Sequence, residues 1–536
     1  MSKFKMSYFV SNNYQVMKLR MVCPLLSTKS ESLLWNFNIL RKQHNEPCRN
    51  KKKICKIPIL TTDTMQEEIS KLGDGDRGNI MEQAKQIMKN IAKGKKTSFC
   101  SVIEADNDDM HAAGTTPITF LRQVLVLCMY PSLLEDSRFS EDAKCRAKCI
   151  LSSIKGSSLG TCPHHLGLPL IREQIAEFIS KRDSGVKSDP NNLILHNSTH
   201  DAIKNTLKLF ARTIEGKPTG VLLPIPHPPI YSALLSELGL YELGYQLNEK
   251  KNWTFNKKQL EKSLAEAQCH SVPRVIVAVN PGNPTGQVFS RQNVTEIIKF
   301  AHKEKLFILA DEIYQENVYS ETSEFYSFKK VKHELGPPFD KMELASFISA
   351  SKGIYGECGL SGCCVEFDEI DECVREQIKR SQSNLLGPNM VSQVVLSCMA
   401  QPPTEENDSF ELYLREKCCI LTGLMQKAKL VSDRLNAIPG ITIVPIEGGL
   451  SGYGKIELPK LAIDDANSKK LDPSELWCKT MLEKTGIRFT PGTAFGQIPD
   501  SYYFKISFVE PFETLENIMD AIKQNHLAFI KSFKKK

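Results

Sequence analysis

Residues 275–314 read VIVAVNPGNPTGQVFSRQNVTEIIKFAHKEKLFILADEIY, and this stretch decides the fold class. It begins with the apolar run Val275–Val279 and reaches a second apolar run, Phe307–Leu309, shortly before its end. Both runs are short, rich in β-branched, aliphatic or aromatic residues and bounded by turn-forming or polar residues, which is typical of buried strands. The residues between them are numerous enough for a crossover helix, so the stretch predicts a strand–helix–strand unit with parallel strands.

Three further runs of the same kind flank this unit, at Asn192–Leu195, Gly220–Leu223 and Leu344–Ile348. Helical patterns lie between several of the runs. Such alternation predicts an α/β fold in which a mostly parallel sheet is covered by helices on both faces.

The C-terminal region has a different succession of helical and strand-like patterns from the sheet region. Ser409–Asn436 is a long helical pattern, and strand-like runs follow at Ile441–Val444 and Phe504–Phe508. This succession predicts a second, smaller α+β domain. The sequence therefore predicts a basic N-terminal extension (residues 1–60), the N-terminal part of the small domain (61–116), a large domain (117–390) and the C-terminal part of the small domain (391–536).

Positive charge is concentrated in the first 60 residues. They contain twelve Lys or Arg and two acidic residues, a net +10, whereas the whole chain carries +7 and the remainder therefore −3. A basic, Ser- and Asn-rich segment with few acids is typical of an organelle transit peptide, and a disordered basic tail is the alternative. The Lys51–Lys53 cluster also fits a nucleic-acid patch, but no nucleic-acid module accompanies it and the rest of the chain is near neutral.

Composition excludes two other classes of protein. The best candidate for a transmembrane run, Ile118–Tyr130, is interrupted by Arg122 and is too short to span a bilayer. The 17 cysteines are scattered without a CxxC pair, so no metal site is expected. We interpret them as buried free thiols of a protein in a reducing compartment.

Polar segments follow three of the predicted strands, where ligands bind in open α/β sheets. They are Asn280–Gly286 (NPGNPTG), Ala310–Tyr314 (ADEIY) and Ser349–Gly353 (SASKG). Each alone has a plainer explanation: a turn, a helix N-cap at Asp311, or a solvated lysine.

Together, in this order and at this spacing, the three segments resemble the fold-type I aminotransferases. The resemblance is closest to the alanine aminotransferase family and extends from about residue 60 to the C-terminus. The segments that carry it are Pro117–Val124, Val279–Val288, Leu309–Tyr319, Lys352–Gly359, Pro491–Gly492 and Phe495–Gln497.

The resemblance implies pyridoxal 5'-phosphate as the cofactor. Lys352 would carry it through its side-chain amine and, once freed, move the substrate proton as a general base. Asp311 would pair with the pyridine nitrogen, while Tyr314 and Asn283 would contact the 3-oxygen of the ring. The remaining implied ligands are Ser198, Thr199, Ser349 and Ser351 for the cofactor phosphate, with Asn283 and Lys505 for the substrate.

Five positions depart from the family pattern, and all of them concern anion or ring recognition. The family has a phosphate-binding arginine at Ser361, Thr-Gly-Ala-Ser at Asn197–His200 and a ring-stacking aromatic at Pro228. It has a substrate-binding arginine at Lys505 and Asn-Ile-Gly-Asp at Asp106–Asp109. Lysine keeps the charge of arginine but loses its bidentate geometry, and serine offers only a neutral hydrogen bond.

Two functions are therefore expected from the sequence. The first is transfer of the amino group of L-alanine to 2-oxoglutarate, giving pyruvate and L-glutamate; the alternative is a catalytically impaired relative that acts as a binding or assembly partner. The expected partners are an amino acid and a 2-oxo acid, with no nucleic acid and no membrane. The resemblance also implies a homodimer, located in the cytoplasm or the mitochondrial matrix.

Overall fold

An eight-stranded sheet lies at the centre of the structure, a computed structural model that describes Thr61, Met65, Ile69 and residues 78–267 and 269–534. The helices and strands lie in one compact unit, Thr62–Lys536. The predicted basic extension, residues 1–60, lies outside the described residues, so its interpretation stays a prediction.

The strands and helices are numbered separately in chain order. The strands are β1 (Ile103–Glu104), β2 (Leu193–His196), β3 (Thr213–Ile214), β4 (Lys217–Ile225), β5 (Tyr241–Gln246), β6 (Val272–Val279), β7 (Phe307–Asp311), β8 (Leu344–Ser349), β9 (Cys363–Asp368), β10 (Ile441–Ile443), β11 (Ser451–Ile456), β12 (Ile487–Arg488), β13 (Thr490–Pro491) and β14 (Tyr502–Ser507). The helices are α1 (Gly78–Ala92), α2 (Thr119–Met129), α3 (Glu141–Ser152), α4 (Pro169–Arg182), α5 (Thr199–Lys208), α6 (Ile230–Glu237), α7 (Lys257–Ala267), α8 (Arg291–Glu304), α9 (Phe328–Leu335), α10 (Glu372–Ser383), α11 (Met390–Ala400), α12 (Phe410–Asn436), α13 (Lys460–Ser468), α14 (Pro473–Thr485) and α15 (Phe512–Lys534).

The central sheet has the order β2-β9-β8-β7-β6-β4-β3, and β5 also pairs with β4. The pairs β4–β5, β4–β6, β6–β7 and β7–β8 are parallel, whereas the pairs that involve β9 or β3 are antiparallel. The α/β class and the mostly parallel sheet predicted from the sequence are thus confirmed.

Alternation along the strands distributes the core over the two faces of the sheet. Val275 and Val277 pack with residues of α5 and α6, while Ile276 and Ala278 pack with residues of α7 and α8. Successive side chains of a strand point to opposite faces, so an unbroken apolar run is what a sheet covered on both sides requires.

Three strands of the sheet were not predicted: the short β3, β5 and β9. In β9 the charged Glu366 interrupts the apolar run, yet it is buried because Lys329 Nζ lies 2.5 Å from its Oε1. In β5 half of the side chains are polar or exposed, including Tyr241. Both β5 and β9 owe their place to tertiary pairing, which local sequence patterns do not reveal.

A four-stranded antiparallel sheet of order β10-β11-β14-β13 forms a second layer. Its core contains Leu424 of α12, Trp477 of α14 and Ile518 of α15, together with Ile80 of α1. The N-terminal helix α1 therefore shares a core with elements from the C-terminal region. The division into residues 61–116, 117–390 and 391–536 stays a prediction.

The cysteine interpretation needs a correction. The fourteen cysteines within the described part of the chain are free, but eight of them are exposed, including Cys145 and Cys149 on α3 and the pair Cys418–Cys419 on α12. These four occupy solvent-facing helix positions, where a small thiol need not be buried. Among the described helices, none combines the length and apolar character that crossing a membrane requires.

Candidate active site

A cavity of about 450 Å³ lies beyond the carboxyl ends of the parallel strands β4, β6, β7 and β8. Residues of β13 and β14 and the segment after β1 line its opposite side. The structure brings together eight of the nine residues that the sequence analysis singled out. Those that line this cavity are Ser198, Thr199, Asn283, Asp311, Tyr314, Ser351, Lys352 and Lys505.

Lys352 projects from the loop that follows β8. Asn317 holds this loop on both sides of Gly353: its Oδ1 accepts from Gly353 N at 2.9 Å and its Nδ2 donates to Gly353 O at 3.3 Å. Gly353 has a φ of +72°, a left-handed conformation that a side chain would strain. The lysine amine lies 3.8 Å from Cys358 Sγ and about 6.0 Å from the ring centroid of Tyr314.

Asp311 is the last residue of β7 and is 3% exposed. Its Oδ2 accepts a hydrogen bond from Tyr231 Oη at 2.8 Å, while its Oδ1 has no partner among the described residues. Burial raises the pKa of this carboxyl to about 6, although the hydrogen bonds from Tyr231 and the Ile313 backbone act in the opposite direction. A buried acceptor with a free oxygen is suited to a ligand that presents an N–H group.

Asn283 and Tyr314 lie side by side on the same wall. Asn283 Nδ2 donates to Tyr314 Oη at 3.3 Å, and Asn283 Oδ1 is buried without a partner among the described residues. Tyr314 is 2% exposed. The pair offers a polar edge to the cavity.

Hydroxyl groups gather at one end of the cavity. Ser198 caps α5 by accepting from Asp201 N at 3.1 Å, and Thr199 Oγ1 is buried without a partner among the described residues. Ser351 Oγ and Ser361 Oγ are 3.0 Å apart. Together with the N-terminus of α5, these groups can bind an anion through neutral donors.

Ser349 is the exception among the predicted residues. Its Oγ donates to Gly362 O at 2.8 Å and accepts from Ser351 N at 3.2 Å, and Ser349 is not part of the cavity wall. Because Ser349 still belongs to β8, whose ladder continues to Cys363, its hydroxyl is directed into the sheet.

Two ion pairs lie on the opposite side of the cavity, and three of their members, Asp106, Asp108 and Lys505, line it. Lys505 Nζ donates to Asp108 Oδ2 at 2.7 Å and to Asp106 O at 3.2 Å. Arg488 binds the Asp106 carboxylate through its Nε and Nη2, at 3.0 and 2.8 Å from Oδ1. Burial alone raises the pKa of Asp108, but the nearby ammonium groups of Lys505 and Lys352 outweigh it and hold that pKa below its ordinary value.

Sequence reasoning missed residues that support the predicted ones. Tyr231 and Asn317 do not line the cavity but fix Asp311 and the lysine loop, respectively. Tyr231 lies shortly after the carboxyl end of β4, so the rule that ligands bind beyond strand ends could have pointed to it. The contact between Lys505 and Asp108 spans 397 positions and has no local signal.

The chain is similar to known aminotransferases in sequence and in fold. The family model "Aminotransferase class I and II" matches residues 130–522. An alanine aminotransferase 2-like protein of Danio rerio is 41% identical over 476 residues, covering 89% of this chain and 87% of the relative. Alanine aminotransferase 1 of Homo sapiens is 40% identical over 472 residues, covering 88% of this chain and 95% of the relative. The solved structure of an alanine aminotransferase from Pyrococcus furiosus superposes with a TM-score of 0.67 at 20% identity, covering 87% of this chain and all of that chain, which supports the fold alone.

Proposed function

The chain belongs to the class I and II aminotransferase family, and from that premise we propose that it transfers an amino group between L-alanine and 2-oxoglutarate. As a member of this family it is a pyridoxal-phosphate-dependent transaminase. The two alanine aminotransferase relatives support L-alanine as the amino donor and favour the catalytic hypothesis over the impaired one. The observation that carries the proposal is the convergence of Lys352, Asp311, Tyr314 and Asn283 on one cavity.

The residues of the cavity fit pyridoxal phosphate. The buried free oxygen of Asp311 matches the protonated pyridine nitrogen, and the Asn283–Tyr314 edge matches the 3-oxygen of the ring. The hydroxyls of Thr199, Ser351 and Ser361 and the N-terminus of α5 would hold the phosphate.

The cofactor supplies an electron sink for the electrons left when the substrate Cα loses its proton. The chain's own residues perform the remaining tasks. Asp311, as a carboxylate, keeps the ring nitrogen protonated, and Tyr231 orients that carboxylate. The Lys352 amine would hold the cofactor and, as a general base, would move the proton from the substrate Cα to the cofactor, while Asn317 fixes the loop on which Lys352 sits.

Substitution of Lys352 tests this proposal. Lys352→Ala should lose the visible absorbance of bound cofactor and the coupled alanine/2-oxoglutarate activity. Lys341→Ala is the matched control, because Lys341 is a solvent-exposed lysine that lies outside the cavity. Activity retained by Lys352→Ala, or a wild-type protein that never turns over this substrate pair at saturating cofactor, would refute the proposal.

We also propose an oligomeric state and a cellular compartment, which do not depend on the geometry of the cavity. A groove lined by Pro117, Val126, Met129 and Phe139 is largely apolar, and Met129 is 60% exposed. This surface supports a homodimer, which light scattering of the purified protein would measure. We further propose the cytoplasm or the mitochondrial matrix as the compartment, to be decided by the destination of a reporter fused to residues 1–60.

A further inference from the structure

The side-chain amine of Lys352 has a thiol as its polar neighbour. Its Nζ lies 3.8 Å from Cys358 Sγ, and the described part of the chain offers this amine no other hydrogen-bond partner. Cys358 Sγ in turn donates to Ser351 O at 3.1 Å. The thiol proton therefore points toward the backbone carbonyl, and the sulfur is left as an acceptor for the amine.

Both groups face the same cavity. Lys352 and Cys358 line it, and Cys358 is partly exposed. A small solute that enters the cavity can therefore reach the sulfur. Within the described part of the chain, Cys358 is the one cysteine whose sulfur has a lysine amine at hydrogen-bonding distance. The chemistry of this thiol is thus the chemistry of a thiol–amine pair.

The backbone of the loop keeps the two side chains close to each other. Gly356 N donates to Lys352 O at 3.3 Å, and Glu357 N donates to Ala350 O at 3.0 Å. Lys352 and Cys358 are 6 positions apart in the chain. A covalent bond between them closes only a short loop that is already ordered, so its entropic cost is small.

We propose that Lys352 and Cys358 form a modification site for peroxides, in which oxidation joins the two side chains through a covalent sulfur–nitrogen bond. Hydrogen peroxide first oxidises the thiol to a sulfenic acid and is itself reduced to water. The Lys352 nitrogen then attacks the sulfur, the S–O bond breaks, and the hydroxide leaves with an amine proton as water. The product, a sulfenamide, lacks two hydrogen atoms relative to the reduced pair.

The sulfenamide occupies the amine that the cofactor requires. This consequence rests on the proposed function, whereas formation of the bond does not. Excess thiol reverses the bond: a thiolate attacks the sulfur, the Lys352 amine leaves with a proton, and a second thiol releases Cys358 from the mixed disulfide. The pair therefore prevents cofactor attachment under oxidising conditions and permits it again under reducing conditions.

Peptide mapping of the full-length, cofactor-free protein tests the proposal. Burial raises the pKa of the Cys358 thiol, although the Lys352 ammonium acts in the opposite direction. Peroxides attack the thiolate, so the protein is treated with hydrogen peroxide at about pH 9 before free thiols are alkylated and the chain is cut with trypsin. Trypsin does not cut after a lysine whose nitrogen is bonded to sulfur. We expect a peptide that is uncut at Lys352, lacks two hydrogen atoms and disappears when excess thiol is added before digestion.

Three variants make the result specific. Lys352→Arg keeps the positive charge but removes the nucleophilic amine, so its peptide containing Cys358 should not become lighter. A lighter peptide in this variant would indicate a disulfide with Cys363 or Cys364 and would overturn the inference. Cys358→Ser should likewise abolish the bond, whereas Cys145→Ser, an exposed cysteine on α3, should leave its yield unchanged. Complete cleavage after Lys352 in the oxidised wild type would also overturn the inference.

Loading with pyridoxal phosphate separates this inference from the proposed function. At about ten times the dissociation constant, a cofactor held by Lys352 should slow formation of the bond about tenfold. Oxidised protein should take up the cofactor without its visible absorbance, and excess thiol should restore that absorbance. A bond that forms at the same rate with and without cofactor supports the inference and refutes Lys352 as the attachment point. Protein that binds the cofactor through Lys352 but never forms the bond overturns the inference and leaves the proposed function standing.

Discussion

The phenol of Tyr231 donates a hydrogen bond of 2.8 Å to Asp311 Oδ2 and leaves Oδ1 free toward the cavity. Both side chains are buried, Tyr231 at 0% and Asp311 at 3% exposure. The bond fixes the plane of the carboxylate and favours its ionised form, against the burial that raises its pKa to about 6. Tyr231 is thus a positioning residue for the residue proposed to hold the cofactor ring.

Tyr231→Phe should shift the pH dependence of cofactor binding. The lost hydrogen bond favoured the carboxylate, so the pKa of Asp311 rises and less of it is ionised at a given pH. A net hydrogen bond contributes about 1 kcal/mol, so the pH midpoint below which cofactor affinity falls (the acid limb of the profile) should rise by about half a pH unit to one pH unit. Titration of pyridoxal phosphate between pH 5 and 8, with cofactor absorbance as the readout, measures the limb.

Tyr241→Phe serves as the control for this variant, because Tyr241 is 38% exposed and lies outside the cavity. It should bind the cofactor with the wild-type pH profile. An unchanged acid limb in Tyr231→Phe would mean that Asp311 does not govern cofactor affinity.

Asp311→Asn should stabilise the cofactor-free protein while weakening cofactor binding. The folded-state pKa of about 6 exceeds the ordinary value of 3.8, so ionised Asp311 opposes folding. Stability associated with this group is complete below the ordinary pKa and is lost as pH rises through about 6. Removing the charge should therefore raise the free energy of unfolding by about 1–3 kcal/mol at pH 7.5.

Urea denaturation of the two cofactor-free proteins checks this expectation. The difference in the free energy of unfolding between variant and wild type should decrease as the pH is lowered from 7.5 to about 4.5, because wild-type Asp311 then becomes protonated. Equal free energies of unfolding at pH 7.5, or a difference that stays constant with pH, would contradict the expected stabilisation by Asp311→Asn.

Ser361→Arg should tighten pyridoxal phosphate binding. Ser361 Oγ lies 3.0 Å from Ser351 Oγ at the hydroxyl-lined end of the cavity, where the nearby groups are neutral donors. A guanidinium adds charge and a forked geometry, and a tenfold gain in affinity requires only about 1.4 kcal/mol. Cofactor titration of wild type, Ser361→Arg and the control Ser361→Ala decides the matter. If wild type and the arginine variant bind the cofactor with equal affinity, the hydroxyls and the N-terminus of α5 already bind its phosphate as well as an arginine would.

The sequence predicted the sheet and much of the cavity because both depend on local patterns. Apolar runs marked β2, β4, β6, β7 and β8, and the polar segments after β6, β7 and β8 contain Asn283, Asp311, Tyr314 and Lys352. Parallel strands bring their carboxyl ends to one edge, so residues far apart in the chain meet without any further signal.

The supporting contacts could not be predicted in this way. Tyr231 reaches Asp311 across 80 positions, and Lys505 reaches Asp108 across 397. Ser349 does not line the cavity, although the resemblance implies a phosphate contact for it, because the end of β8 cannot be fixed to one residue from an apolar pattern. Side-chain direction and long-range pairing follow from packing of the whole chain.

Lys505→Arg should improve L-alanine binding only when Asp108 is also changed. In the wild-type background the guanidinium can bind the Asp108 carboxylate through two parallel hydrogen bonds, which strengthens the internal pair. The single variant should therefore keep or raise the Michaelis constant for L-alanine. In the Asp108→Asn background the same guanidinium is available to the substrate, and the constant should fall below that of either single variant.

A double-mutant cycle measures this dependence from four proteins: wild type, Lys505→Arg, Asp108→Asn and the double variant. Residues in direct contact commonly show coupling of about 0.5–3 kcal/mol, and we expect a value of about 1 kcal/mol or more for L-alanine. L-Alaninamide carries no carboxylate to compete with Asp108, so the coupling energy measured with L-alaninamide should be close to zero. Additive effects on L-alanine would mean that Lys505 and Asp108 act independently on the substrate, because coupling is expected when the substrate carboxylate and Asp108 compete for the same cation.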